Sequence, residues 1–470
     1  MKWFVFIGVI FMSLNSIAQH VIVKGGSNDY SGKKLSFYID NDPITHSAEK
    51  VGESMVTGKN KFRAKISINQ PQQIWFDYGV FRFFFFVEPD KKYQIQLPPF
   101  KGKAEHQKRS PFFRPEWVQL KVNNEDSTQL NNQIWNFERE FNRELDKVIR
   151  PLVERRSVAH MKQLQQFISS YIKQGGSTYF HFYLHYKLGY VELLRDTRSA
   201  KKVLTKYFQS NQLQLNIPVA NSLFQTISKN FLIEIPKNIS PQLNKLLGQK
   251  DLKSVKTIAG SYVGLSDPYT ELLLLKNFYN SYYRKDYSPK LMEELIQLQT
   301  KSSNSKISKL AQKALEKISY LRPGTEAPSF YLMNQKGERI NSQSLYGKFV
   351  YLNFMRSDDF ASQQYLKILN EYKQKFGKDL EIVSIAVQDT FQKAVDYFKQ
   401  NNYDWQLLRG ATTTKIKDQY KIVTYPTFYL IDPDGVLRLS PAPSPAENFD
   451  KQFMQILRQH RIQQVRKRGK

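Results

Sequence analysis

Hydrophobic and polar positions alternate through the first hundred residues. Leu35, Phe37 and Ile39 alternate with Ser36, Tyr38 and Asp40, and Phe62, Ala64, Ile66 and Ile68 alternate with Arg63, Lys65 and Ser67. A period of two is that of a strand with one buried face. Ile74–Tyr78, Phe81–Val87 and Tyr93–Leu97 are further apolar or alternating runs, set apart by Gly25-Gly26, Gly58-Lys59-Asn60 and Pro89-Asp90. Such clusters are turn signals. Residues 20–100 therefore predict a small β-sandwich-like domain. Phe83, Phe84, Phe85 and Phe86 cannot all face one side of a strand, so both faces of that strand are expected to be covered.

The pattern changes twice after that. Residues 101–126 are basic and contain Pro111 and Pro115, which predicts a connector. Over residues 127–321 the period becomes helical. Leu130, Ile134, Phe137, Phe141 and Leu145 recur at intervals of three and four, with Asp126 and Ser127 as expected caps. No fixed repeat is evident. Over residues 322–470 strand candidates (Phe349–Phe354, Leu380–Val387, Thr427–Ile431) alternate with helix candidates (Ala361–Phe376, Phe391–Asn401, Thr413–Tyr420). This alternation is that of an α/β sheet. Asp432-Pro433-Asp434-Gly435 predicts a tight turn, and Ala446–Val465 a last helix. The expected architecture is multidomain α+β: a β-domain, an all-helical domain and a C-terminal α/β domain.

Residues 1–18 read as an export signal, with Lys2, an apolar stretch from Trp3 to Met12, and small Ser16 and Ala18 before a cut. The apolar run falls short of the roughly 20 residues a membrane-spanning helix needs. With no cysteine after it, lipoprotein acylation is excluded, and the expected location is the periplasm or cell envelope. The 470 residues hold 70 Lys+Arg against 42 Asp+Glu, a formal charge of +28, and no cysteine. Zero thiols exclude disulfides, a thiolate nucleophile, Fe–S clusters and Cys-ligated zinc. The positive charge is spread along the chain and is densest from Arg458 to Lys470. It allows attraction to an anionic envelope component. No nucleic-acid-binding signature is present, and none is expected to act here.

Other chemistry is thin. There is no G-x-G-x-x-G, Walker A or G-x-S-x-G motif, so no cofactor is expected. His181 and His185 stand four apart on an expected helix. The glutamate of the zinc-protease motif is replaced by Phe182 and no third ligand is nominated, so packing on an aromatic helix face is expected and no metal.

Ala327-Pro328-Ser329-Phe330-Tyr331-Leu332, then Lys336-Gly337, Leu345, Gly347-Lys348 and Phe349–Phe354, resembles the opening of peroxiredoxin and TlpA/ResA-type thioredoxin-like domains, the AhpC/TSA-like redoxins. Tyr425-Pro426-Thr427-Phe428-Tyr429-Leu430-Ile431-Asp432-Pro433-Asp434-Gly435 is similar to their cis-proline loop and following hairpin. Upstream, Phe86-Val87-Glu88-Pro89-Asp90 and Leu321 to Pro328 resemble multidomain bacterial members with an N-terminal β-domain of the DUF4369 type. The resemblance implies a thioredoxin fold and thiol-disulfide oxidoreductase or peroxidase activity. In the family, the strand ending at Phe354 leads to a Cys-x-x-Cys. Laid on residue by residue, those cysteines fall on Asp359 and Ser362. Neither side chain can attack or resolve a disulfide, so the family's activity does not carry over.

Ser357, Asp358 and Asp359 precede the helix beginning near Phe360, where free N–H groups favour a carboxylate or hydroxyl cap. The resemblance places the cis-proline loop opposite this helix, where relatives pair backbone with extended peptide. The leading expectation is an exported, non-enzymatic peptide- or protein-binding module, with Asp358, Asp359, Ser362, Tyr425 and Pro426 as contact residues. The rival expectations are a thiol-disulfide oxidoreductase by descent, and a structural envelope protein acting through its β and helical parts.

Overall fold

A computed structural model describes residues 19–26, 29–104, 106–107, 110, 113–387, 390–410 and 415–468. The expected export signal, residues 1–18, lies outside the described residues. The chain forms two units, Met1–Leu315 and Glu316–Lys470. The architecture is mixed α+β: a curled N-terminal sheet, a helical region and a C-terminal α/β domain.

The N-terminal sheet comprises β1 (Gln19–Gly26), β2 (Lys34–Ile39), β3 (Glu49–Met55), β4 (Lys61–Ile68), β5 (Gln72–Tyr78), β6 (Phe81–Val87), β7 (Lys92–Gln96) and β8 (Glu116–Gln119). Its order is β7-β1-β4-β3-β2-β5-β6-β8. The alternation in β4 translates directly into exposed and buried positions. Val23, Phe37, Ala64, Phe76, Phe85 and Ile95 share one core although they come from strands across the sheet, so the sheet curls around it. An antiparallel bridge between Ile95 on β7 and Val122 just beyond β8 joins its two edges. Strand β8 lies within the segment expected as a connector. It is short, half exposed and pairs in parallel with β6, so it leaves little periodic signal.

Both faces of β6 are covered, as the Phe83–Phe86 run required. Phe83 and Phe85 join the sheet's own core. Phe86, on the opposite face, meets Tyr179 and Tyr183 edge-on at 5.9 and 6.2 Å. Those tyrosines belong to the helical region, which opens with α1 (Leu130–Val153), α2 (Val158–Gln174) and α3 (Thr178–Arg195). In α1, Leu130, Ile134, Phe137 and Phe141 form a buried stripe. The expected caps do not cap it. Asp126 instead accepts from Thr128, and the helix starts at Leu130. The Glu125 carboxylate accepts the Asn131 N–H (3.0 Å). Helices α4 (Ala200–Tyr207), α5 (Pro218–Ser228), α6 (Phe231–Glu234), α7 (Ser240–Gly248), α8 (Leu252–Val263), α9 (Asp267–Arg284), α10 (Pro289–Gln299) and α11 (Ser305–Ser319) follow.

Polar side chains tie helices to the sheet and its loops. The Asn131 amide continues the β6 ladder: Oδ1 accepts the Phe86 N–H (2.6 Å) and Nδ2 donates to the Phe86 carbonyl (2.7 Å). Lys276 on α9 donates to the carbonyls of Pro43 and Ile44 at 2.8 and 3.1 Å. Burial lowers its pKa to about 8. His46 Nε2 lies 3.2 Å from the same ammonium. Burial and then Lys276 hold its pKa below 6.5, against smaller upward pulls from Asp42 and Asp40.

The C-terminal unit holds a hairpin of β9 (Tyr331–Met333) and β10 (Arg339–Asn341), then β11 (Phe349–Met355), α12 (Phe360–Phe376), β12 (Leu380–Ala386), α13 (Phe391–Gln400), β13 (Gln406–Arg409), α14 (Lys415–Gln419), β14 (Thr427–Ile431), β15 (Leu437–Ala442) and α15 (Phe449–Arg468). The main sheet runs β13-β12-β11-β14-β15. All of β11 is buried. Phe349, Tyr351 and Met355 face a core built with Leu366, Leu369 and Phe453, whereas Val350, Leu352 and Phe354 face one built with Ile416 and Tyr420. The expected turn after β14 is present: Asp432 Oδ1 accepts from the N–H groups of Asp434 and Val436, and Gly435 has φ +84°. The bridges Asn334–Leu408 and Glu326–Val436 bring flanking segments alongside the sheet's margins.

Two outcomes follow for stability. Asn131→Ala strips two buried backbone groups of their partner and should lower the unfolding free energy by about 3 kcal/mol in denaturant titration. Because His46 binds its proton more weakly in the folded chain than in the unfolded one, its contribution is complete above pH 6.5 and lost as pH falls below it. His46→Gln should therefore flatten the fall in melting temperature below pH 6.5, read by circular dichroism against wild type.

Candidate functional site

The site lies where β11 ends and α12 begins. Every residue of β11 is apolar except Asn353, and the strand pairs in parallel with β12 and antiparallel with β14. The register sets Phe354 opposite Thr427. The chain leaving β11 at Met355–Arg356 and the chain arriving at β14 through Tyr425–Pro426 are therefore neighbours. The Tyr425–Pro426 bond is cis. The Arg356 charge acts on the Tyr425 hydroxyl: burial raises that pKa above 10, and Arg356 opposes the rise. Lys417 on α14 lies 6.0 Å from the Tyr425 ring centre.

The turn from 356 to 362 is closed by its own polar groups. Asp359 is the N-cap of α12, with extended backbone (φ −102°, ψ 126°), and its carboxylate accepts the Ser362 N–H at 2.8 Å. This satisfies one of the amides a helix start leaves open and puts negative charge at the positive end of the dipole. Ser362 is fully buried, and its hydroxyl accepts the Arg356 N–H at 3.4 Å. Arg356 reaches forward in a bidentate pair with Asp358, at 2.9 and 2.8 Å. Gln363 Nε2 donates to the Ser357 carbonyl at 2.7 Å. Positions 359 and 362, where the resemblance set the cysteines, hold a capping carboxylate and a buried hydroxyl turned into the loop.

All five residues singled out in the sequence lie at this junction. Asp359 and Ser362 bond to each other, Asp358 joins through Arg356, and Tyr425–Pro426 lies across the strand register. Three further residues escaped sequence reasoning. Arg356 links the acidic loop to Tyr425, and an arginine two residues from an aspartate was the available signal. Phe360, in the first turn of α12, is 74% exposed, and Val423, just before the proline loop, is 57% exposed. An aromatic at the start of an amphipathic helix gives no warning that it faces water. The histidine pair is elsewhere. The His185 ring packs at 5.2 and 5.0 Å from Tyr186 and Tyr207, and no group of three metal-ligating side chains occurs among the described residues.

Residues 323–440 match the AhpC/TSA family. Over 113 residues the chain is 28% identical to the thiol-disulfide oxidoreductase ResA of Bacillus subtilis, covering 24% of this chain and 63% of that protein. Over the same length it is 30% identical to ResA of Bacillus cereus, covering 24% of this chain and 65% of the relative. The match thus spans less than two thirds of either relative. Among solved structures, a thiol-disulfide oxidoreductase from Bacteroides fragilis is 21% identical, with a TM-score of 0.25, covering 28% of this chain and 99% of that one. Residues 323–440 form a thioredoxin-like domain of the AhpC/TSA family, homologous to ResA-type thiol-disulfide oxidoreductases, in a chain without a cysteine.

Proposed function

We propose that this protein is an exported, non-enzymatic binding protein whose thioredoxin-like domain takes a peptide or a partner protein at the former redox site. The observation that carries this reading is the absence of any sulfur nucleophile in 470 residues. Thiol-disulfide exchange proceeds only through a thiolate and a mixed disulfide. A carboxylate already engaged by an amide and a buried hydroxyl supply neither.

Binding remains chemically open to the site. Phe360 offers an aromatic side chain to solvent, and exposed aromatics are the residues that anchor interfaces. Tyr425 and the Arg356–Asp358 pair supply polar contacts beside it. We assign Asp359 and Ser362 mainly to shaping the helix start, and Asp358, Tyr425, Pro426 and Phe360 to contact with the bound segment. The proposal includes the domain order given above, a DUF4369-type N-terminal domain, removal of residues 1–18 and residence in the periplasm or envelope. No described helix is long and apolar enough to cross a membrane. The names of the relatives favour one other reading, a thiol-disulfide oxidoreductase by descent, which would need an electron carrier other than cysteine.

Three measurements test this. Purified protein should leave insulin disulfides intact in the presence of dithiothreitol beyond the uncatalysed rate, and turnover above that rate refutes the reading. Asp359→Ala should cost about 1 kcal/mol of stability, the usual worth of an N-cap, seen as a lower denaturant midpoint. In pull-downs from envelope extract, Phe360→Asp and Tyr425→Ala should each lose a partner that wild type retains, with melting temperature unchanged. Equal recovery by all three moves the binding function to the N-terminal unit.

A further inference from the structure

The N-terminal unit contains a cleft of about 650 Å³ between the outer face of the curled sheet and helix α5. That volume lies within the ~300–1,000 Å³ of sites that take small ligands. Its lining residues all belong to the unit Met1–Leu315.

One wall is aromatic and rigid. Trp75 on β5 stacks on Tyr38 at 4.7 Å. The Arg82 guanidinium lies 3.8 Å from the Trp75 ring centre and 5.2 Å from that of Trp117. Arg82 is fixed by a two-bond pair with Asp77, at 2.7 and 3.0 Å. Strand register puts Trp117 opposite Arg82, and the Trp117 side chain is 45% exposed.

The other wall is polar. Asn221 and Gln225 stand one turn apart on α5 and line the cleft together. Asn221 Nδ2 donates to the Leu215 carbonyl (2.6 Å), and Asn216 Nδ2 to that of Pro71 (2.8 Å). With these donors engaged, the amide oxygens are left as acceptors. The Asp40 carboxylate adds a further acceptor on the same lining.

One buried donor is weakly answered. Trp75 is only 6% exposed; its indole N–H meets no acceptor in good hydrogen-bond geometry among the described residues, and its one electrostatic partner is the Asp40 carboxyl, whose pKa burial raises and this N–H lowers. A buried polar atom without a partner costs free energy unless a ligand or water answers it.

The electrostatics select the ligand class. A cation would meet the Arg82 guanidinium, already seated on the Trp75 ring, and the Lys276 ammonium behind His46. An anion would meet Asp40 and Asp42. What remains is a neutral molecule with apolar C–H faces to lie on Trp117 and hydroxyls for amide oxygens, a carboxylate and one indole N–H. We propose that this cleft binds a neutral saccharide, with Trp117 as the stacking platform and Trp75, Asp40, Asn221 and Gln225 as hydroxyl partners.

The test is isothermal titration of the intact protein with cellotriose, maltotriose and chitotriose. At least one should bind saturably with a millimolar or tighter Kd. Trp117→Ala and Asp40→Asn should each weaken that binding by about tenfold or more without changing the melting temperature. The proposal is overturned if none of the three binds at about 10 mM, or if the measured affinity survives both substitutions.

Discussion

Strand β11 is shut away from water over its whole length, and its backbone groups must therefore be paired on both sides. Strand β12 on one flank and β14 on the other meet that demand. The consequence reaches the functional end of the domain. Once Phe354 is fixed opposite Thr427, Arg356 and Tyr425 are neighbours whatever side chains they carry. The alternation along β11 divides the interior into two cores, one with α12 and α15, the other with α14. The junction is thus positioned by hydrophobic and ladder constraints that do not involve Asp359 or Ser362.

The replacement is physically coherent. A helix start favours negative charge and needs acceptors for its open amides. Here it stabilises the Asp359 carboxylate, which answers the Ser362 amide. The Asp359 carboxylate is thus a local fold determinant, and Arg356 makes the neighbouring Asp358 part of the same closed loop.

Much of this was legible in the chain. The alternation at 61–68 became β4, and four consecutive phenylalanines required cover on both faces, which the sheet core and Tyr179 and Tyr183 provide. Asp432 to Gly435 gave its turn because a carboxylate followed two residues later by an amide, with glycine at a positive φ, has few other uses. Strand β8 stayed hidden because four residues on a sheet margin bury too little to show a period. The start of α1 was misplaced because Asp126 and Ser127 look like caps in isolation, while the carboxylate that serves the helix is Glu125. At the junction, the five residues were found through alignment to a motif. Exposure of Phe360 and the reach of Arg356 are three-dimensional facts with no linear counterpart.

The bridge between Ile95 and Val122 has a further meaning. A bare sheet margin is a template on which another chain can add a strand, the first step of aggregation. In the N-terminal unit the two margins meet, and in the C-terminal unit Asn334 and Glu326 lay neighbouring segments along theirs. This covering of open ladders amounts to a built-in guard against self-association.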